Sequence, residues 1–160
     1  VIEILLGSRK YPGHVAFIDD EDYELISNYR WCIARDRRIF YAVTTTHPHI
    51  KMHRLILALN KNIQADHKNG NGLDNRRENL RIADASQNQA NSRKRKIEIS
   101  RSHFKGIYWQ KHSKLWNARV ALHKKTYSLG YFKSEEEAAL AYDKGAREKF
   151  GEFARPNFRA

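Results

Sequence analysis

Ala65-Asp66-His67-Lys68-Asn69-Gly70-Asn71-Gly72-Leu73-Asp74-Asn75-Arg76-Arg77-Glu78-Asn79-Leu80-Arg81 is the stretch that decides the N-terminal half of this chain. Its centre, Lys68 to Gly72, is rich in Gly and Asn, residues that turn a chain tightly, so the flanks read as two short strands joined by a loop. The first strand is Ile63 to His67 and the second Asn79 to Ala83. Asp84 or Ser86 is placed to cap a helix over Asp84 to Asn91, which gives the order strand, loop, strand, helix. Upstream, Met52, Leu55, Ile56 and Leu59 are spaced on one helix face, and Asn60-Lys61-Asn62 ends that helix. Further back, Val15 to Ile18, Tyr29 to Ile33 and Ile39 to Thr44 read as strands separated by charged turns.

This order places a carboxylate, Asp66, beside an imidazole, His67, at the end of one strand, and a carboxamide, Asn88, on the helix after the partner strand. The three can converge. One carboxylate and one amide oxygen suit a hard divalent cation, Mg2+ or Mn2+, which keeps several waters and also takes a phosphate oxygen. An imidazole, whose ordinary pKa lies near neutrality, can accept the proton of an attacking water. A lone histidine is more often a satisfied structural residue, and it is the combination with Asp66 and Asn88 that reverses this for His67. For His53, on the upstream helix, a structural imidazole bonded to a nearby carbonyl is at least as good a reading as a DNA-contacting or catalytic one.

The C-terminal half has a different pattern. Ser92 to Lys96 is a basic run without an apolar face, and the boundary between domains is placed around 92 to 102. Three strands follow, at Gly106 to Gln110, Trp116 to Leu122 and Thr126 to Tyr131. In the second, Trp116, Ala118, Val120 and Leu122 alternate with Asn117, Arg119, Ala121 and His123, so one face packs and the other meets solvent or ligand. Ser134 and Glu137 form a capping box that opens a helix to about Phe150, with Gly151 as its stop. That helix turns Ala138, Ala141, Tyr142 and Ala146 toward the sheet, and Trp116, Tyr127 and Tyr142 are expected in the core.

Over 160 residues, 30 Lys and Arg stand against 18 Asp and Glu, a formal net charge of +12. Such a surface draws polyanions, with nucleic acid the default partner. Cys32 is the single cysteine, which excludes an internal disulfide and a four-cysteine zinc site and fits a reducing cytoplasm. The apolar opening, Val1 to Leu6, is far too short for a signal or a span, and no later run approaches ~18 apolar residues, so a soluble protein is expected. A start at Val1 rather than methionine points to a beginning that has been trimmed or lies upstream.

The Asp66-His67 pair, the Asn79-Leu80-Arg81 strand start and Asn88 on the following helix recur in this order in the HNH nucleases of the ββα-metal fold, and Met52-His53-Arg54-Leu55 resembles the segment that precedes them. The resemblance covers roughly Val15 to Asn91 and is to the phage and intron-encoded homing type. It implies His67 as general base, Asp66 and Asn88 as metal ligands, and Asn79 as a catalytic-loop residue that holds the metal site by hydrogen bonds. The implied reaction is metal-dependent hydrolysis of a DNA phosphodiester, leaving a 5′-phosphate and a 3′-hydroxyl.

Phe104-Lys105-Gly106-Ile107, Trp116-Asn117-Ala118, Ser128-Leu129-Gly130-Tyr131-Phe132 and Glu136-Glu137-Ala138-Ala139-Leu140-Ala141-Tyr142-Asp143 resemble the AP2 domain over about 103 to 158. That family presents the exposed face of its sheet to the major groove, which here implies Lys105, Tyr108, Gln110, Arg119, Thr126 and Ser128 as DNA contacts. Plant relatives carry several arginines where this chain has Tyr108, Gln110, Thr126 and Ser128, so their target sequence does not transfer. Arg93, Lys94, Arg95 and Lys96 are expected along phosphate. Arg76, Arg77 and Arg81 read either as phosphate contacts beside the cut or as solvated charges. Gly106-Ile107-Tyr108 has no Tyr-Ile-Gly partner, and a GIY-YIG nuclease is rejected.

The expected fold is thus α+β: a β-rich HNH ββα-metal nuclease unit over 1–92, a basic linker over 93–102, and an AP2-like three-stranded antiparallel sheet packed on one helix over 103–160. The expected function is a site-specific homing endonuclease using one Mg2+ or Mn2+. Double-stranded DNA is its partner, with no membrane and no protein partner implied, in the cytoplasm of a bacterial or phage-infected cell. One metal centre cuts one strand, so nicking by a monomer is preferred to a dimer. Two alternatives stand beside it: a catalytically inactive DNA-binding or regulatory protein on the same fold, and an RNA-binding accessory protein. The deep, narrow major groove of RNA disfavours the latter.

Overall fold

A computed structural model describes residues 1–36, 38–94 and 101–158. The chain forms two compact units, Val1–Asp84 and Ala85–Ala160. Both mix helices with small antiparallel sheets, compatible with an α+β class.

Among the described residues the first unit holds three two-stranded antiparallel ladders. Strand β1 (Ile2–Leu5) pairs with β2 (Val15–Ile18), β3 (Trp31–Asp36) with β4 (Ile39–Thr44), and β5 (Gln64–His67) with β6 (Leu80–Ala83). Helix α1 (Tyr23–Ser27) and helix α2 (Met52–Ile56) complete it. Alternation along β2 turns Ala16 and Ile18 inward, where they join Leu6, Ile26, Trp31, Ala42, Met52, Ile56, Leu73 and Leu80 in one core. The loop after β5 is sewn to β2 by bonds from Phe17 N to Leu73 O and from Asn75 N to Phe17 O, each 2.8 Å. Gly72 lets this loop cross β4 closely, since a Cβ there would sit 2.7 Å from the Tyr41 ring.

Helix α2 stops at Ile56, short of the Leu59 that its apolar spacing predicts. Ala58 adopts φ 49°, and the Arg54 guanidinium gathers the carbonyls of Asn60 (2.5 Å) and Ile63 (2.8 Å), so the chain beyond the helix folds back around one side chain. Strand β1 was not anticipated. Only its four-residue alternation, with Ile2 and Ile4 half-buried and Glu3 exposed, marks it.

In the second unit helix α3 (Ala85–Asn91) precedes a sheet in the order β7 (Ile107–Gln110), β8 (Leu115–Leu122), β9 (Lys125–Phe132), and helix α4 (Glu135–Phe150) packs on it. The sequence draws its domain boundary after residue 92, whereas in the structure α3 belongs with the second unit. Ser134 and Glu137 form the capping box, and Gly151 ends α4 at φ 53°. Ala138, Ala139, Tyr142, Ala146 and Phe150 bury against Ile107, Ala118 and Val120. Gly106, at φ 77°, lets β7 approach α4, because a Cβ there would collide with the Tyr142 ring.

Two expectations about burial change. Asn117, assigned by alternation to the exposed face, is wholly buried, because its amide bonds Ser128 Oγ at 2.7 Å and Gly130 O at 2.8 Å while its carbonyl accepts from Arg119 Nε. A register shift between Ala118 and Arg119 accompanies this. Tyr127, expected in the core, is exposed and lies under the Lys149 ammonium, 4.2 Å from its ring centre. Trp116 is half-buried against the core and Tyr142 is fully inside.

Candidate active site

Asp66 and His67 end β5, directly opposite Arg81 and Leu80 of β6. Because Asp66 and Arg81 are cross-strand partners, the guanidinium reaches the carboxylate, with Nε 3.0 Å and Nη2 2.7 Å from Asp66 Oδ2. Both side chains are largely covered, 11% and 9% exposed.

The loop between these strands is a self-bonded network of short polar side chains. Asn79 Oδ1 accepts from Asn69 N at 3.0 Å, and its amide donates to Asp74 O at 2.7 Å. Asn69 in turn donates to Asp74 Oδ2 at 2.8 Å, and Asn71 Oδ1 accepts from Leu73 N at 3.1 Å. These are the local bonds by which Asn and Asp fix turns. Asn79 is therefore a clamp on the loop.

His67 is 6% exposed. Its ring stands at 88° to that of His53, with centres 4.9 Å apart, and Tyr41 lies 5.9 Å from both rings. Burial lowers the His67 pKa, against the opposing pull of its bond to Asn75 and the charges of Asp66 and Asp74. Burial and the facing His67 push His53 down to about 3, so His53 stays neutral in the folded protein near neutral pH. Burial, with Asp36 and Asp66 nearby, raises the Tyr41 phenol.

The arginines around this loop are engaged within the fold. Arg76 pairs with Asp74 (2.8 Å) and Glu78 (2.9 Å), and its bonds to Asp74 hold that carboxyl below its ordinary pKa. Arg77 pairs with buried Asp22 (2.6 Å) and with Glu21 (2.8 Å), and its backbone N–H bonds Asp19. Arg76 thus pairs with the loop's own Asp74, Arg77 with carboxylates near helix α1, and Arg81 with Asp66 of β5.

Asn88 lies half-buried on α3, in the second unit. That helix is anchored there at both ends. Ser86 Oγ accepts from His123 N at 2.8 Å, and the Lys105 ammonium donates to the carbonyls of Gln89 (3.1 Å), Ala90 and Ser92 (2.8 Å). A cation on the last carbonyls of a helix complements its dipole. Burial pushes Lys105 down to about 8. Lys105, expected to contact DNA, therefore has its ammonium turned to the backbone. On the sheet Tyr108 is exposed with the Arg119 guanidinium 5.4 Å from its ring centre, Thr126 and Ser128 are exposed, and Gln110 is half-buried. Arg93 is exposed and Lys94 half-buried, while Arg95 and Lys96 lie outside the described residues.

Sequence reasoning missed Asn75. It is wholly buried, its Oδ1 is 3.4 Å from His67 Nε2, and its amide donates to Leu73 O at 3.1 Å. Nothing in the sequence sets it apart from the other asparagines of the loop.

A loop clamped by asparagines thus follows an Asp-His pair at a strand end. The chain is 31% identical over 159 residues, 96% of its length and 79% of the relative's, to an uncharacterized HNH endonuclease of Acanthamoeba polyphaga mimivirus. The chain belongs to the HNH endonuclease family. No protein-family model matches it. No solved structure matches either. Among the described residues no helix is long and apolar enough to cross a membrane.

Proposed function

We propose that this protein is a site-specific DNA endonuclease, of the homing type, that nicks one strand with a divalent metal ion. The observation that carries the reading is the Asp66-His67 pair at the end of β5, held beside a loop that Asn79 clamps. Among the described residues no group of three His, Cys, Asp or Glu gathers to cage a metal. Mg2+ or Mn2+ needs no such cage, because it keeps several waters and takes one or two protein oxygens. The carboxylate of Asp66 and the amide oxygen of Asn88 are hard donors of that kind. When bound, the ion offsets the charge that builds on the phosphate and on the leaving 3′ oxygen.

His67 is the general base. Buried and shifted downward, its imidazole is neutral at physiological pH and is able to take a proton from water. His53, neutral behind it, adds no competing positive charge. Residues 85–160 hold 17 Lys and Arg against 7 Asp and Glu, an excess of +10, and residues 1–84 hold 13 against 11, an excess of +2. The second unit therefore supplies most of the attraction to duplex DNA, through Arg119, Tyr108, Gln110, Thr126 and Ser128 on an AP2-like sheet and Arg93 to Lys96 along phosphate.

The test is incubation of the protein with supercoiled plasmid carrying its own flanking DNA, in Mg2+ or EDTA. Metal-dependent open circles are expected. Linear product would replace nicking by paired cutting. Binding without cleavage in Mg2+ or Mn2+ would replace the nuclease by a DNA-binding protein on the same fold.

A further inference from the structure

The polar network around the loop has one further member, Asn75. Asn75 is wholly buried, and its backbone N–H is tied to Phe17 O at 2.8 Å, so its position is set by strand β2. Its side chain touches two groups. One is the carbonyl of Leu73, 3.1 Å from Nδ2, which can only accept. That bond fixes the orientation of the carboxamide: nitrogen toward Leu73, oxygen toward His67. The oxygen lies 3.4 Å from His67 Nε2. A carbonyl oxygen accepts, so the ring nitrogen facing it must donate.

We infer that Asn75 is a positioning residue that holds neutral His67 as the Nε2–H tautomer, with Nε2 donating to the Asn75 carboxamide oxygen. The loop is built to make this binding of one ring nitrogen firm. Asp74, the residue before Asn75, takes bonds from Asn69 and Arg76 on its carboxylate and from Asn79 on its carbonyl. The T-shaped His53 ring on one side and Tyr41 on another confine the imidazole plane. A base that must meet a water in one orientation gains from having both its tautomer and its plane set before substrate arrives. The inference rests on the reading of His67 as the base only for its consequence in catalysis; the tautomer itself is a property of the free protein.

The experiment is 1H-15N NMR of the full chain with 15N-labelled histidine, at a pH where the ring is neutral, with the His67 signals assigned from the His67→Gln protein. His67 is expected to show its proton on Nε2, protected from exchange with water. In Asn75→Leu, which keeps the bulk and loses the acceptor, that protected N–H is lost. In Asn75→Asp, which keeps an acceptor, it is retained. A His67 proton on Nδ1 in the unaltered protein, or a protected Nε2–H that persists in a folded Asn75→Leu protein, would overturn the inference. If Asn75→Leu does not fold, the spectra of the unaltered and Asn75→Asp proteins decide it.

Single-turnover cleavage should fall by on the order of 10²-fold in Asn75→Leu with DNA affinity unchanged, and recover in part in Asn75→Asp. Cleavage that survives His67→Ala would refute the base assignment and leave the tautomer result standing. A wrong tautomer with cleavage abolished in His67→Ala would do the reverse.

Discussion

The two units use their charges in opposite ways. In the first, cationic side chains around the loop are bound to carboxylates: Arg81 to Asp66, Arg76 to Asp74, Arg77 to Asp22. Its charge nearly balances. In the second, Arg119 rests on the exposed ring of Tyr108 and Lys149 on that of Tyr127, and the buried core is apolar and rich in alanine. The first arrangement spends charge on fixing geometry, which is what a reacting site requires. The second keeps charge available for a long-range polyanion field. Rigidity and attraction are thus assigned to different halves of one chain.

The sharpest way to break this contrast is to remove a cation from each half. Arg81→Met leaves the Asp66 carboxylate without the guanidinium it faces across the ladder. With both side chains about a tenth exposed, unfolding stability should drop by about 3 kcal/mol, read by denaturant titration. A change within 0.5 kcal/mol would show that the pair contributes nothing to the first unit. Asp22→Asn weakens the pairing of Arg77. Because Arg77 is nearly half exposed, solvent screens the loss, and about 1–2 kcal/mol is expected in the same titration.

In the second unit the exception is Lys105, whose ammonium serves the end of α3. Lys105→Met should cost about 1–2 kcal/mol in stability, with little change in the salt dependence of DNA binding. A DNA-binding slope against salt that falls by about one phosphate contact would instead place the ammonium on DNA.

The smallest effect is in pH. His53 is held down to about 3, whereas in the unfolded chain it takes a proton near its ordinary value of about 6.5. The unfolded state therefore binds more protons below that value, and stability falls as pH drops from 6.5 toward 3. Between pH 6 and pH 5 this one group should remove roughly 1 kcal/mol, and His67 acts in the same direction. His53→Gln should flatten that limb in unfolding curves at the two pH values.

What the sequence made legible follows the range of the interactions. Strands β2 and β4 lie where short strand-like runs between charged turns put them, and Ser134 with Glu137 opens α4, because these signals act within a few residues. Asp66 and His67 at the end of β5 and Asn79 beyond the loop stand within one contiguous stretch, which is why sequence reading could propose them together. Arg77 could not be resolved, since Asp22, 55 residues away, competes for it. Helix α2 ended early through an Arg54 side chain that reaches loop carbonyls, and Asn117 left the exposed face through bonds to β9. Strand alternation holds no trace of either. Asn75 stayed hidden for a related reason: only the fold turns its oxygen toward an imidazole eight positions back.

The central claim is that His67 is the base of a DNA-cutting site while DNA is held largely elsewhere. Plasmid cleavage in Mg2+ and DNA binding by gel shift should be measured together for the unaltered and His67→Ala proteins. A loss of cleavage by a factor on the order of 10² or more, with binding preserved, is the predicted result. Undiminished cleavage by a folded His67→Ala protein would contradict it.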